Sequence, residues 1–186
     1  MTVSTIDEKP ALVVIDLQKG IVSRPSVHPI EDIVANSARL AAAFRERGLP
    51  VVLVNAAGTP AGRTEAPARI REFPPDFTEL VAELDVQDSD HLVTKMTWGA
   101  FTNTSLHEIL QKHGVTQVVV TGIATQFGVE STARSAHEHG YHVVLATDAI
   151  TSFDEAAHDH TMRNIFPALG QSGTTDELLE LLNESR

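Results

Sequence analysis

Five short runs recur along the chain: ALVVIDL (Ala11–Leu17), PVVLVNA (Pro50–Ala56), HLVTK (His91–Lys95), QVVVTGI (Gln117–Ile123) and HVVLATDAI (His142–Ile150). They are apolar almost without interruption rather than at every second residue. Such runs suit strands covered on both faces, the condition of a parallel sheet. The segments between them have helical spacing. Ile33, Ala41 and Phe44 mark one face of Glu31–Arg47, which Val34, Ala38 and Leu40 widen, and Leu106, Ile109 and Leu110 do the same in Thr104–His113. Gly48, Gly114 and Gly140 each follow a charged or histidine-bearing last turn and stand just before the next run. Glycine fits the left-handed position that stops a helix without a Cβ clash. A repeated helix–Gly–strand unit predicts βα alternation, right-handed crossovers and a three-layer α/β/α sandwich.

The chain of 186 residues suits one domain, 1–186, with a full core. A net charge of −11 argues against a nucleic-acid partner, because affinity for a phosphate backbone comes from clustered Lys and Arg. Cysteine is absent, which excludes disulfides, thiolate metal sites and a cysteine nucleophile. MTVSTIDEKP has no apolar core of a secretory signal, and no run reaches the roughly 20 apolar residues of a membrane span. The expectation is a cytoplasmic protein with no membrane partner. The long proline-bearing connection 57–77 reads as a lid, a substrate loop or a subunit contact.

Polar residues stand where the runs end. Asp16 closes the first, Lys95 the third and Asp148 the fifth, and the Gly122–Gly128 loop follows the fourth. In open parallel sheets, ligands bind beyond the carboxyl ends of strands, where strand order reverses. An acid, a base and a helix start are therefore expected in one crevice. Each has a plain alternative: Asp after a buried strand caps a turn, and Lys95 is solvated. Histidines spaced i, i+2 at His137/His139 and His158/His160 point to different sides of a helix, so no metal is expected. His113, His137 and His139 near helix C-termini fit the partial negative charge there. TGIATQFG lacks both G-x-G-x-x-G and a P-loop lysine, so no nucleotide cofactor is expected.

VVIDLQKG, KMTWGAFTNTSLHEIL and VVVTGIATQFGVESTARSAHEHGYHVVLATDAITS, in that order, resemble the signature blocks of the isochorismatase-like hydrolase superfamily. The resemblance spans nearly the whole chain. It implies a Rossmann-like six-stranded parallel sheet, a small-molecule substrate and assembly into homodimers or homotetramers. The amidases of the family use Asp, Lys and Cys. Asp16 and Lys95 match the first two, and the Cys position falls on Gly128. The resemblance also implies a cis Ile123–Ala124 peptide, with the Ala124 and Gly128 amides turned into one pocket as an anion or oxyanion site. Gln18, Trp98, Phe101, Thr125, Gln126 and Phe127 are candidates to line that pocket, with Trp98 and Phe101 equally plausible as core or interface residues. The metal-binding branch carries Asp and His after its second strand, and NAAGTPAGR offers neither.

Gly128 cannot attack a carbonyl. Ser131 and Thr132 lie one turn further on, and a first-turn hydroxyl satisfying free amide groups is the simpler reading of them. Isochorismatases resemble this chain in having Gly at that position, and they hydrolyse a vinyl ether without a covalent intermediate. Asp16 would then be the general acid and Lys95 its orienting partner. Two departures point away from isochorismate itself: Gln126 stands where His or Asp is expected, and Met96, Thr97 and Trp98 supply no arginine after Lys95. Two other readings stay open: a family member that binds a ligand or supports an assembly without turnover, and an amidase using activated water.

Overall fold

The computed structural model describes residues 2–65 and 73–184. Six strands, β1 (Pro10–Ile15), β2 (Val51–Ala56), β3 (His91–Lys95), β4 (Gln117–Ile123), β5 (His142–Thr151) and β6 (Gln171–Gly173), form one sheet in the order β3-β2-β1-β4-β5-β6. Every pairing in it is parallel. Helices α1 (Lys19–Val22), α2 (Ile30–Glu46), α3 (Leu106–Lys112), α4 (Glu130–Glu138), α5 (Glu155–His160), α6 (Phe166–Leu169) and α7 (Thr175–Glu184) complete the α/β fold. None of the described helices is long and apolar enough to cross a membrane.

The unbroken apolar runs have the expected cause. In β1, Leu12 and Val14 enter one buried cluster with Leu40 and Phe44 of α2 and Leu178 and Leu182 of α7. Val13 and Ile15 enter a second cluster with Leu106 and Leu110 of α3 and Ala133 and Ala136 of α4. Successive side chains alternate between two helical layers, so both faces must be apolar. Gly48, Gly114 and Gly140 have φ of +64°, +64° and +85°, as their helix-stopping role requires.

The sheet runs outward in both directions from β1 and β4, so the strand order reverses between them. That is the switch point at which a crevice opens beyond the strand ends. Gly122 brings the two strands together there, since a Cβ on it would lie 2.0 Å from the Ile15 carbonyl oxygen. Two expectations need correction. Asp148 does not close the fifth strand: the register with β4 shifts by several residues between Val120 and Gly122, and the surplus carries β5 on to Thr151. The Asp148 carboxylate instead accepts from the Thr175 amide and hydroxyl at 2.7 and 2.8 Å, at the start of α7. The connection 57–77 lies partly outside the described residues. Its end at Phe77 is tied to α1 by the Gly20 amide, which donates to the Phe77 carbonyl.

Candidate active site

Asp16 is the first residue beyond β1, and its φ of +56° turns the chain out of the sheet. Asp tolerates this left-handed conformation better than most residues. The turn aims the carboxylate along the sheet edge toward Lys95, the last residue of β3. The Lys95 ammonium donates to Asp16 Oδ2 at 2.8 Å and to the Thr97 carbonyl at 3.1 Å. Both side chains are almost wholly buried, at 7% and 2% exposure. Asp16 Oδ1 is also buried, and among the described residues it has no hydrogen-bond partner.

Burial pushes the Asp16 carboxyl up from 3.8 to about 6, against the charge and hydrogen bond of Lys95, which pull it down. Desolvation therefore wins. A carboxyl that half-titrates near pH 6 is suited to proton transfer around neutrality. A merely structural carboxylate would have both oxygens paired.

The loop after β4 closes on the same point. The Ile123–Ala124 peptide is cis. Thr125–Val129 forms a single π-helical turn that runs directly into α4, so Gly128 lies inside that turn rather than at a free helix start. A Cβ placed on Gly128 would sit 3.1 Å from Asp16 Oδ2 and 2.9 Å from Ile15 Cγ2. The three residues that the sequence set at separate strand ends, Asp16, Lys95 and Gly128, thus meet in one place.

The other candidates divide. Trp98, partly exposed, packs its ring on Phe127 with centroids 4.8 Å apart, beside Lys95 and Gly128 in the chain. Phe101 turns away, into a cluster with His107, His139 and Tyr141. The Gln18 amide is fully buried and taken up by backbone: it donates to the Ala56 and Phe77 carbonyls and accepts from the Ala56 amide at 2.7 Å. Gln18 therefore welds the ends of β1 and β2 to the returning connection. Thr125 is buried, with its hydroxyl 2.7 Å from His158 Nδ1. Gln126 accepts from the Ser152 hydroxyl. The Thr132 hydroxyl donates to the Gly128 carbonyl at 2.7 Å and accepts from the Ala100 amide at 3.0 Å, so it braces the loop as a backbone tie.

Sequence reasoning missed how the segment 152–161 grips this loop. His158 holds Thr125, Ser152 holds Gln126, and the Thr161 hydroxyl donates to Glu130 at 2.8 Å. Burial, then the neighbouring His28 ring, lowers the pKa of His158, with Asp159 opposing. One signal was available. Asp154 caps α5 through the Ala157 amide, which places His158 one turn into the helix. Nothing in the local sequence says that this position faces the loop.

Residues 10–177 match the family model described as the isochorismatase domain. The uncharacterized isochorismatase family protein YwoC of Bacillus subtilis is 44% identical, the alignment covering 93% of this chain and 94% of that protein. YecD of Escherichia coli, also described as an uncharacterized isochorismatase family protein, is 37% identical over 92% of this chain and 95% of its own length. The solved structure of an isochorismatase family protein from Burkholderia thailandensis superposes with a TM-score of 0.92 at 41% identity, covering 96% of this chain and 98% of that one.

Proposed function

Because the chain belongs to the isochorismatase family of hydrolases, we propose that it hydrolyses a small unsaturated ether by acid catalysis from Asp16, with no covalent intermediate. The observation that carries this reading is the state of the Asp16 carboxyl. It is buried, its pKa is pushed up to about 6, and among the described residues one of its oxygens has no partner. A hydrolase that splits its substrate through a thiol needs Cys, and the chain has none. Gly128 stands at the corresponding position, where a side chain would crowd Asp16 Oδ2.

In the proposed reaction the protonated Asp16 donates to the methylene carbon of a vinyl ether. The C=C electron pair forms the new C–H bond, and an oxocarbenium ion results. The ionised carboxylate stabilises that cation, with Lys95 holding Oδ2. Water adds to the oxocarbenium carbon and gives up a proton to Asp16. The hemiketal then collapses to a ketone and an alcohol. Trp98 and Phe127, their rings inclined by 55°, offer an apolar corner to an unsaturated group.

A second reading has its own support. The same Asp16, once ionised, can activate water against an amide, with the Ala124 and Gly128 amides taking the oxyanion. The two differ in the protonation state they need. Purified protein screened against a library of vinyl ethers and small amides, with Asp16→Asn as the blank, decides between them. Turnover of vinyl ethers supports the acid reading, and turnover of amides alone overturns it. Loss of all turnover with retained ligand binding would favour a non-catalytic family member.

A further inference from the structure

At the far end of β3 from Lys95, two histidines face each other. His91 Nε2 and His113 Nε2 are 3.1 Å apart, with ring centroids 5.0 Å apart and planes inclined by 63°. Both are anchored by backbone. His91 is the first residue of β3, paired in register with Val52. His113 is the residue that ends α3, its amide bonded to the Gln111 and Ile109 carbonyls. The rings thus come from two rigid elements, and little ordering is left for a ligand to impose.

A pair of neutral imidazoles at this distance can share one N–H···N bond. The same arrangement also matches a metal chelate. With metal–nitrogen bonds of about 2.0–2.1 Å, donors separated by 3.1 Å subtend roughly 100° at the ion. That angle lies between the tetrahedral and the square or octahedral values. We propose that His91 and His113 form a surface site for a borderline divalent cation (Zn2+, Ni2+ or Cu2+), bound through both Nε2 atoms with water completing the shell.

The surroundings favour ligation on balance. Neutral imidazole is the ligating form, and each ring offers its Nε2 toward the other. Lys112 repels a cation, against a chain whose net charge is −11. Asp90 does not serve as a third ligand. Both its oxygens are held by Arg45, and one also accepts from the Gln87 amide. Among the described residues no group of three or more His, Asp or Glu is arranged for a metal, so this is a two-ligand site. Imidazole nitrogen as the donor selects Zn2+, Ni2+ and Cu2+ over Mg2+ and Ca2+. The site also has a mechanical consequence. Among the described residues β3 is an edge strand paired with β2. A bound ion would staple its first residue to the end of α3.

The test is titration of the full chain, stripped with chelator, by ZnCl2, NiCl2 and CuCl2. Calorimetry gives the stoichiometry, and the electron paramagnetic resonance spectrum of the Cu2+ form gives the ligands. His91→Gln and His113→Gln serve as variants, with their folding checked by circular dichroism. The expected result is one equivalent bound, two imidazole nitrogens on Cu2+, and at least tenfold weaker binding in each variant. At a hundredfold excess over the parent's Kd, Zn2+ should raise the thermal midpoint of the parent chain by about 5–10 °C and that of each variant by no more than about half as much. No binding of any of the three ions at millimolar concentration overturns the proposal. So does binding that survives in both variants, or a Cu2+ spectrum with a single nitrogen.

Discussion

Two buried ion pairs in this molecule have similar partners and opposite characters. Arg45 and Asp90 meet in a two-pronged contact, Nε to Oδ1 at 2.9 Å and Nη2 to Oδ2 at 2.8 Å. The Gln87 amide and the Leu84 carbonyl complete it. Both carboxylate oxygens are satisfied, and the pair ties α2 to the segment before β3. Lys95 and Asp16 make one contact, at Oδ2, and leave Oδ1 buried and, among the described residues, unpaired. A completed network holds a fold together, whereas an incomplete one carries a desolvated charge that another group has yet to meet. The difference separates scaffold from candidate chemistry without reference to any relative.

Substitution of each acid or its partner should break the comparison most sharply. Asp16→Asn keeps the shape and removes the proton donor, so kcat on the substrate found by screening should fall about 10^2- to 10^4-fold. Steady-state kinetics on the folded variant measures this. A loss smaller than tenfold would remove Asp16 from the reaction. Arg45→Ala should do the reverse: urea unfolding should show a loss of about 3 kcal/mol, because the Asp90 side chain, fully buried, is left without its cation. Its kcat should stay within about twofold of the parent, the range expected where no reacting group is touched.

The pH profile sharpens the comparison further. The Asp16 carboxyl is pushed up to about 6 by burial, and an acid catalyst must hold its proton. Well below pH 6 the carboxyl is protonated and kcat/KM should be level. Above it kcat/KM should fall by about tenfold per pH unit. A limb that rises through the same range, and disappears in Asp16→Asn, would assign Asp16 as the base and favour the amidase reading.

The smallest expected effect probes Lys95 through an added thiol. Gly128→Cys puts a sulfur beside the pair, with a modest shift of the Ile15 methyl to admit its Cβ. The Lys95 ammonium should lower the thiol pKa, and iodoacetamide should then modify it about 3-fold faster than a free thiol at neutral pH. A rate no faster than the free thiol would mean that Asp16, 3.1 Å from the new Cβ, dominates the local field.

Much of the fold was legible from local pattern, because unbroken apolar runs and helix-stopping glycines report burial directly. β6 was not: QSG is three residues long and half-exposed, and it is a strand because β5 lies beside it. Asp148 misled for a related reason, since a register shift is set by the neighbouring strand and leaves no local mark. At the site, Asp16, Lys95 and Gly128 could be picked out because strand ends are visible and a parallel sheet gathers them. The grip of His158 on Thr125 and the turn of Phe101 away from Trp98 could not. Each depends on helices that meet only when the layers close.

The sequence by itself determined the layers, the direction of the strands and the identity of the residues at their ends, because these follow from the period of burial along the chain. The proton affinity of Asp16 was decided by tertiary structure alone. Its carboxyl is an ordinary one until β3 brings Lys95, the β4–α4 turn brings Gly128, and the surrounding segments exclude water. Desolvation is a property of everything packed around a group, and most of what surrounds Asp16 lies far from it in the chain.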